Sequence, residues 1–209
     1  MDQGTPPAGA VDFSLKREGF QAMNIIDALY HRRAVRDYVD APVDEESLRF
    51  VIAAAIHAPN AMNRQPWSFV AVTDRTLLNR CSNAAKAHCL ASLSANPHLA
   101  GYREHLASPA FNVFYNAPAL IVICATEPDP MAQQDCCLAA ENLMLAACER
   151  SLGTCWIGFA ESWLNQPKGK DELKIPANHI AVAPIIIGHP HGDHPAPPRR
   201  APHITWIEG

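Results

Sequence analysis

Residues 58–67 of the chain read Ala58-Pro59-Asn60-Ala61-Met62-Asn63-Arg64-Gln65-Pro66-Trp67. The prolines stiffen this loop, and the amide side chains between them offer both hydrogen-bond donors and acceptors. Such a set suits the recognition of a polar heterocycle that carries both kinds of group. The alternative is an ordinary connecting loop that Trp67 anchors to the core.

Two helices are predicted before this loop. Asn24 can cap the first helix, which runs toward Arg32 and Arg33, because an Asn side chain accepts from the free N–H groups of a first turn. Asp44 can cap the second helix, which ends before Pro59. Apolar residues recur at helical spacing in both: Ile25, Ile26, Leu29 and Tyr30 in the first, and Leu48, Val51, Ile52 and Ala55 in the second.

Apolar segments after the loop are predicted strands of a sheet. They cover residues 68–73, 119–125, 155–159 and 181–187. Helices are predicted at residues 75–116, with a break at 92–97, and at 131–151. In the latter helix Leu138, Asn142 and Leu145 share one side, and Gly153 suits its C-cap. Strands separated by helices indicate an α/β or an α+β fold.

The two ends of the chain differ in composition from the part between them. Glycine and proline near the start predict a loose leader over residues 1–22, followed by a single domain over residues 23–209. Prolines and histidines are frequent after Gly188, so residues 188–209 are predicted to form an extended arm. Within this arm His189, His191 and His194 are expected to lie in a solvated loop rather than to bind a metal.

Composition and charge exclude several classes of protein. The 209 residues are 48% hydrophobic and 18% charged, which supplies enough apolar material for a core and excludes a disordered chain. The net charge of −4 predicts no nucleic-acid surface. The apolar run at residues 117–125 is too short for a membrane span of about 20 residues. Seven cysteines without a CxxC pair predict reduced thiols in a cytoplasmic protein and no metal site.

Three further segments carry groups that suit an anionic ligand. Arg32-Arg33-Ala34-Val35-Arg36 holds three arginines, whose guanidinium forks bind phosphate bidentately; a solvated basic face is the alternative. Leu152-Gly153-Thr154-Cys155-Trp156-Ile157-Gly158 contains glycines that let the backbone approach a ligand; a helix cap with a tight turn is the alternative. Arg199-Arg200 can reach one anion from the arm or stay solvated.

Taken in order, these segments resemble the FMN-dependent nitroreductase family. The family pattern has an Arg-Arg-Ser-x-Arg run, an Ala-Pro-Ser-x-x-Asn-x-Gln-Pro-Trp loop, a Gly-containing turn after a long helix, and a Gly-x-Pro strand end before a basic pair. The corresponding parts here are residues 32–36, 58–67 and 152–158, Gly188-His189-Pro190 and Arg199-Arg200. The resemblance covers roughly residues 24–207, and Asn63-Arg64-Gln65-Pro66-Trp67 is its most specific element. Ala34 and Asn60 stand where the family pattern has Ser.

The resemblance implies an α+β flavin fold, with a central mixed sheet flanked by helices and an extended C-terminal arm. It further implies an obligate homodimer with FMN at the interface between the subunits. The residues that it assigns to FMN are Arg32, Arg33, Ala34, Arg36, Arg199 and Arg200 at the phosphate and ribityl chain, Pro59, Asn60, Asn63 and Gln65 from the partner subunit, and Trp156, Ile157 and Gly158 with backbone N–H groups at the flavin ring.

The function that the resemblance implies is a ping-pong oxidoreductase. NAD(P)H gives a hydride to the flavin, and the reduced flavin passes electrons to a nitroaromatic, a quinone or a similar small acceptor. Because the cofactor carries this chemistry, no single ionisable side chain is expected to be catalytic. The alternatives are a same-fold enzyme with a specific dehydrogenase or flavin-breakdown activity, and a flavin-binding protein without catalysis.

Overall fold

The computed structural model describes residues 23–94 and 101–209, so the leader predicted at residues 1–22 lies outside the described residues. Within them the strands are β1 Trp67–Val72, β2 Ala119–Ala125, β3 Gly153–Trp156 and β4 Ile180–Gly188. The helices are α1 Ile25–His31, α2 Glu45–Ala55, α3 Arg75–Ala91, α4 Arg103–Ala107, α5 Pro130–Glu149, α6 Gly158–Leu164 and α7 Pro167–Leu173. A 3₁₀ turn covers Ala61–Asn63.

The sheet has the strand order β1-β2-β4-β3, and every neighbouring pair is antiparallel. The prediction of a mixed sheet was therefore wrong for these four strands, while that of a central sheet flanked by helices is confirmed. Val72 at the end of β1 lies opposite Leu120 near the start of β2. The helical connection thus leaves and rejoins the sheet at the same end, so β2 must run back along β1. A parallel bridge joins Ala34 to Thr154 on β3.

Helices cover both faces of the sheet. All residues of β2 are buried, and successive side chains of a strand point to opposite faces. Ile121 and Ile123 belong to the core that α2 and α5 cover, and Leu120 and Val122 belong to the core that contains residues of α3 and α6. Burial on both faces explains why the sequence of β2 is apolar throughout.

The predicted helix starts are confirmed. The side chain of Asn24 accepts from the N–H of Asp27 at 2.9 Å, and that of Asp44 accepts from the N–H of Ser47 at 2.7 Å. The helical prediction for residues 75–116 was too long, because α4 ends at Ala107 and Tyr115 and Asn116 then adopt left-handed backbone angles. Part of the predicted break at 92–97 lies outside the described residues.

One prediction about the exit of α5 was wrong. The side of α5 that carries Leu138 is 46% exposed at that residue; the core side of the helix is formed by Cys136, Ala139, Ala140, Leu143, Met144 and Ala147. The helix ends at Glu149, and Ser151 with φ 54° makes the turn that Gly153 was expected to make. Gly153 opens β3, since its missing Cβ leaves room for Val35. The strand predicted at 155–159 is accordingly shifted toward the N-terminus, and α6 begins at Gly158.

The arm after β4 is hydrogen-bonded to the rest of the chain at its start. Val39 donates to the carbonyl of His189, and His191 donates to the carbonyl of Asp37, each at 3.0 Å. Residues 195–209 are exposed and form neither helix nor strand, as predicted for an extended arm. None of the helices in the described ranges is long and apolar enough to cross a membrane.

Candidate functional site

The basic run at residues 32–36 lies along the edge strand of the sheet. The N–H of Val35 donates to the carbonyl of Thr154 at 2.9 Å, and a Cβ on Gly153 would lie 2.6 Å from Cγ2 of Val35. The glycine therefore lets this extended segment pack directly on β3. Neighbouring residues of an extended segment point to opposite sides, and the structure shows Arg33 with Val35 on one cavity and Arg36 on another.

Arg36 lies on the larger of these cavities, which has a volume of about 500 Å³. This volume is typical of a small-molecule site, roughly 300–1,000 Å³. Among the residues that the structure describes, four aromatic side chains line it: Tyr102, Tyr115, Trp156 and Phe159. Tyr102 and Phe159 pack edge to face, with ring centroids 5.4 Å apart. We call this space the aromatic cavity.

Arg36 supplies a positive charge to the aromatic cavity. Its Cζ lies 5.8 Å from the centroid of the Tyr115 ring. Burial raises the pKa of the Tyr115 hydroxyl, and the charge of Arg36 opposes that increase. Burial also raises the pKa of the carboxyl of Glu161, which lines the same cavity. A cation among aromatic walls suits a flat ring system that carries an anionic or carbonyl group.

The exit of β3 forms one wall of the aromatic cavity through Trp156, Ile157 and Gly158. The resemblance implies that backbone N–H groups at Ile157 and Gly158 face the flavin ring. The N–H of Ile157 already donates to the carbonyl of Pro184 at 2.8 Å. Gly158 is exposed, and a Cβ placed there would meet no atom within 4 Å. The wall is therefore open at this glycine.

The loop at residues 58–67 is built from internal hydrogen bonds. Asn60 Oδ1 accepts from the N–H of Gln65 at 2.8 Å, and Gln65 Nε2 donates to Asn63 Oδ1 at 3.2 Å. Met62, Asn63 and Gln65 have positive φ angles of 56°, 54° and 50°. Left-handed angles are costly for residues other than glycine, about 1–3 kcal/mol each, so surrounding contacts must hold them.

Acidic residues at the start of α5 hold this loop in place. Asp135 is 6% exposed and accepts from the N–H of Ala61 at 3.2 and 3.3 Å. Arg64 forms ion pairs with Glu127 and, at 3.2 Å, with Asp129. Sequence reasoning missed Asp135, since a single acid on a helix carries no sign of its distant partner. The loop is thus a fixed element that presents polar side chains outward.

The residues assigned from the sequence fall into six places. Arg36, Trp156, Ile157 and Gly158 meet around the aromatic cavity, whereas Arg33 lines the other one. Arg32 pairs with Glu141 on α5 at 3.5 Å. The remaining candidates lie outside both cavities within the described chain: Ala34 at the β3 edge, Pro59, Asn60, Asn63 and Gln65 on the loop, and Arg199 and Arg200 on the exposed arm.

Of the aromatic side chains of the cavity, Trp156 was predicted as a site residue, whereas Tyr102, Tyr115 and Phe159 were not. Tyr102 and Tyr115 lie in the connection between β1 and β2, far from the basic run in sequence. Phe159 directly follows Gly158, so its place beside the glycine turn is the one signal that could have found it. The two tyrosines are brought in by contacts between distant segments, Tyr102 with Phe159 and Tyr115 with Arg36.

Comparison with known proteins places the chain among flavoproteins of one fold. The model of the Nitroreductase family matches residues 29–189. An Archaeoglobus fulgidus protein whose name includes NAD(P)H nitroreductase is 30% identical over 167 residues, which cover 78% of this chain and 83% of that protein. The 5,6-dimethylbenzimidazole synthase of Rhodospirillum rubrum is 32% identical over 196 residues, covering 82% of this chain and 85% of the synthase.

A solved structure agrees with these sequence matches. The nitroreductase of Bacteroides fragilis with bound FMN superimposes with a TM-score of 0.78 at 26% identity, covering 90% of this chain and all of that one. The α+β fold class predicted from the sequence is thereby confirmed. The family match spans both the basic run and the loop at residues 58–67, so the chain belongs to the nitroreductase family.

Proposed function

We propose that this protein is an FMN-dependent oxidoreductase that takes hydride from NAD(P)H and reduces nitroaromatic, quinone or related acceptors by a ping-pong mechanism. Family membership and the FMN-bound Bacteroides fragilis structure support the flavin, and the name of the Archaeoglobus relative supports the nicotinamide donor. The observation that carries the proposal is the aromatic cavity, which joins Arg36 to the exit of β3.

The aromatic cavity fits a flavin nucleotide in shape and charge. Its rings offer flat apolar surfaces, Arg36 offers a bidentate cation, and Gly158 leaves the wall open. When bound, FMN supplies the capacity to accept a hydride from the nicotinamide and to pass electrons to the acceptor. In this proposal Arg32, Ala34, Arg36, Trp156, Ile157 and Gly158 hold FMN in one chain, together with Arg199 or Arg200 at the phosphate.

The side chains of the cavity act by positioning rather than by proton transfer. Flat aromatic walls align stacked ring systems and exclude water, and alignment alone contributes strongly to a direct transfer. Arg36 stabilises negative charge near the ring system. No catalytic acid or base is therefore assigned, and no metal is part of the proposal.

A homodimer completes the site in this proposal. Large apolar side chains are exposed on α1 and on the arm, including Tyr30 at 76%, Trp206 at 81% and Ile207 at 93%. Exposed apolar surface of this kind is typical of protein interfaces. Pro59, Asn60, Asn63 and Gln65 would then reach the flavin of the partner subunit from their outward-facing loop. The cytoplasmic location also stays a prediction, supported by seven free thiols.

A second candidate is flavin breakdown on the same fold. The observation in its favour is the Rhodospirillum rubrum relative, which is named as a 5,6-dimethylbenzimidazole synthase and is 32% identical. The two candidates make opposite predictions for the fate of the cofactor. An oxidoreductase returns FMN unchanged after many turnovers in air, whereas a flavin-breaking enzyme consumes it. Chromatography of the flavin after aerobic incubation with NADH distinguishes them.

Flavin binding is tested by titration of the purified chain. We expect FMN to bind with a shifted flavin absorption spectrum and to raise both the melting temperature and the dimer fraction, because a ligand at an interface stabilises the assembled state. A monomer that holds FMN with full affinity would contradict the dimer. The absence of any FMN binding would contradict the whole proposal.

A further inference from the structure

The second cavity beside the basic run has a volume of about 330 Å³. It lies between Arg33 and Val35, the start of β3, and the arm at Pro190 and His194. We call it the Arg33 cavity. Within the described part of the chain its lining contains His31, Arg33 and His194 but no Asp or Glu, whereas Glu161 lines the aromatic cavity. Its charge is therefore positive, because the guanidinium of Arg33 is always protonated.

The guanidinium of Arg33 is fixed with one edge unused. Its Nη1 donates to the carbonyl of Tyr30 at 2.5 Å and to that of Arg32 at 2.9 Å. Its Nε is buried and has no hydrogen-bond partner. Buried donors are nearly always paired, because an unpaired one has lost its hydration without replacement. A guanidinium held in this way is prepared for an acceptor at its Nε edge.

His194 on the arm carries a second atom of the same kind. Its Nε2 is also buried without a partner. Among the described residues these two nitrogens are the only buried side-chain nitrogen or oxygen atoms that lack a partner, and both belong to residues lining the Arg33 cavity. Two unpaired nitrogens from distant parts of the chain indicate that one acceptor group satisfies both.

We propose that the Arg33 cavity binds a small organic anion. Its carboxylate or phosphate oxygens accept hydrogen bonds from Arg33 Nε and His194 Nε2, and its apolar body packs against Val35 and Leu152. The volume exceeds that of a bare ion, since a water occupies about 30 Å³. This site is distinct from the proposed flavin site, because Arg33 and Arg36 lie on different cavities.

Calorimetric titration of the FMN-saturated protein tests this site. The probes are benzoate for a carboxylate, phenyl phosphate for a phosphate, and benzamide as a neutral control of similar shape. We expect at least one of the two anions to bind one site per chain about tenfold or more tighter than benzamide, as for hydrogen bonds to charged groups. The tighter of the two anions identifies the head group.

Two variants locate the binding. Arg33→Met and His194→Phe should each weaken the anion about tenfold or more, while Arg49→Gln, which removes an exposed arginine paired with Glu45, should leave it unchanged. Arg33→Met also removes two bonds to the end of α1, so His194→Phe gives evidence that does not depend on that helix.

Three results would overturn the proposal. One is that neither anion binds more tightly than benzamide. Another is anion binding that survives both the Arg33→Met and the His194→Phe substitution. The third is a loss of FMN affinity in Arg33→Met as large as that in Arg36→Met, which would make the Arg33 cavity part of the flavin site. A protein that binds no FMN at all would contradict the proposed function, whereas anion titration of that protein would still decide this site.

Discussion

Arg33 and Arg36 belong to one basic run, yet they lie on two different cavities. Arg36 meets aromatic rings and shares its cavity with Glu161, whereas Arg33 meets apolar residues and histidines. The extended backbone along β3 causes the separation, because successive residues of such a segment point to opposite sides, and Arg33 and Arg36 are an odd number of positions apart. Arginines that are adjacent in sequence therefore need not bind the same phosphate.

The largest expected effect is a difference in FMN affinity between a variant of Arg36 and a variant of Arg33. Arg36→Met should weaken FMN binding by roughly 1.5–3 kcal/mol, the range for hydrogen bonds to charged groups. Arg33→Met should change it by less than about 0.5 kcal/mol, as for a substitution outside the site. If Arg36 binds the phosphate, the Arg36→Met substitution should weaken the binding of riboflavin less than the binding of FMN. Fluorescence titration measures both ligands, and equal losses in the two variants would remove the distinction.

The next effect concerns the glycine that lets the basic run pack on β3. Gly153→Ala should destabilise the protein by about 1–3 kcal/mol, because the new Cβ would lie within 2.8 Å of three side-chain carbons of Val35 and overpacking has this cost. Gly158→Ala is the matched control, since its Cβ would meet nothing within 4 Å. Urea unfolding of both apoproteins gives the difference. Equal free energies of unfolding would show that Val35 can shift to make room for a Cβ at residue 153.

A smaller effect comes from Tyr38, whose hydroxyl donates to the carbonyl of Val35 at 2.6 Å. Tyr38→Phe should lower the free energy of unfolding by about 0.5–1.5 kcal/mol, the net contribution of one hydrogen bond. Burial raises the pKa of Tyr38 above its usual value of 10.0. The unfolded chain therefore ionises first as the pH rises, so the wild type loses stability above about pH 10.

The pH dependence provides an independent check on Tyr38. Tyr38→Phe should lose less stability than the wild type between neutral pH and a pH above 10, because it lacks the group that titrates. Chemical unfolding at both pH values measures this difference. Identical pH profiles would mean that the Tyr38 hydroxyl is accessible to solvent in the folded protein.

The smallest effect is expected at three ionisable residues that do not line the aromatic cavity. Burial raises the pKa of Cys155, so its thiol stays neutral at physiological pH. Cys155→Ala, His57→Ala and Glu141→Gln should each retain flavin reduction within about tenfold of the wild type at matched FMN occupancy, since a general acid or base contributes roughly 10²–10⁴-fold. Stopped-flow absorbance measures the rate. A loss beyond about 100-fold in any of them would identify a catalytic side chain.

The features that sequence predicted well are local ones. β2 is apolar at every residue because both of its faces are buried, and the caps Asn24 and Asp44 act on N–H groups within three residues. The motif order also identified the family, since residues 58–67 and the basic run keep the sequence order of the family pattern and, apart from Ala34 and Asn60, its residue types. Each of these signals is contained in one short segment.

The features that sequence missed depend on contacts between distant segments. Gly153 follows a long helix, which is where a C-cap glycine is expected. Only the close approach of the Val35 side chain shows that the glycine is needed for packing. The sequence does not show that the backbone N–H of Ile157 donates to the carbonyl of Pro184 on β4. The aromatic cavity likewise combines Tyr102 with Phe159 across the sequence. No local pattern contains these partners, so the site could be predicted only in outline.

The central claim is that the aromatic cavity holds FMN for hydride transfer from NAD(P)H. Anaerobic stopped-flow absorbance of the FMN-loaded protein tests it most directly, with NADH and NADPH as donors and a nitroaromatic or a quinone added in a second mixing step. The account predicts that at least one nicotinamide bleaches the flavin band and that the acceptor restores it with the cofactor intact. Flavin that stays oxidised with both nicotinamides, in a protein shown to have bound FMN, would contradict the account.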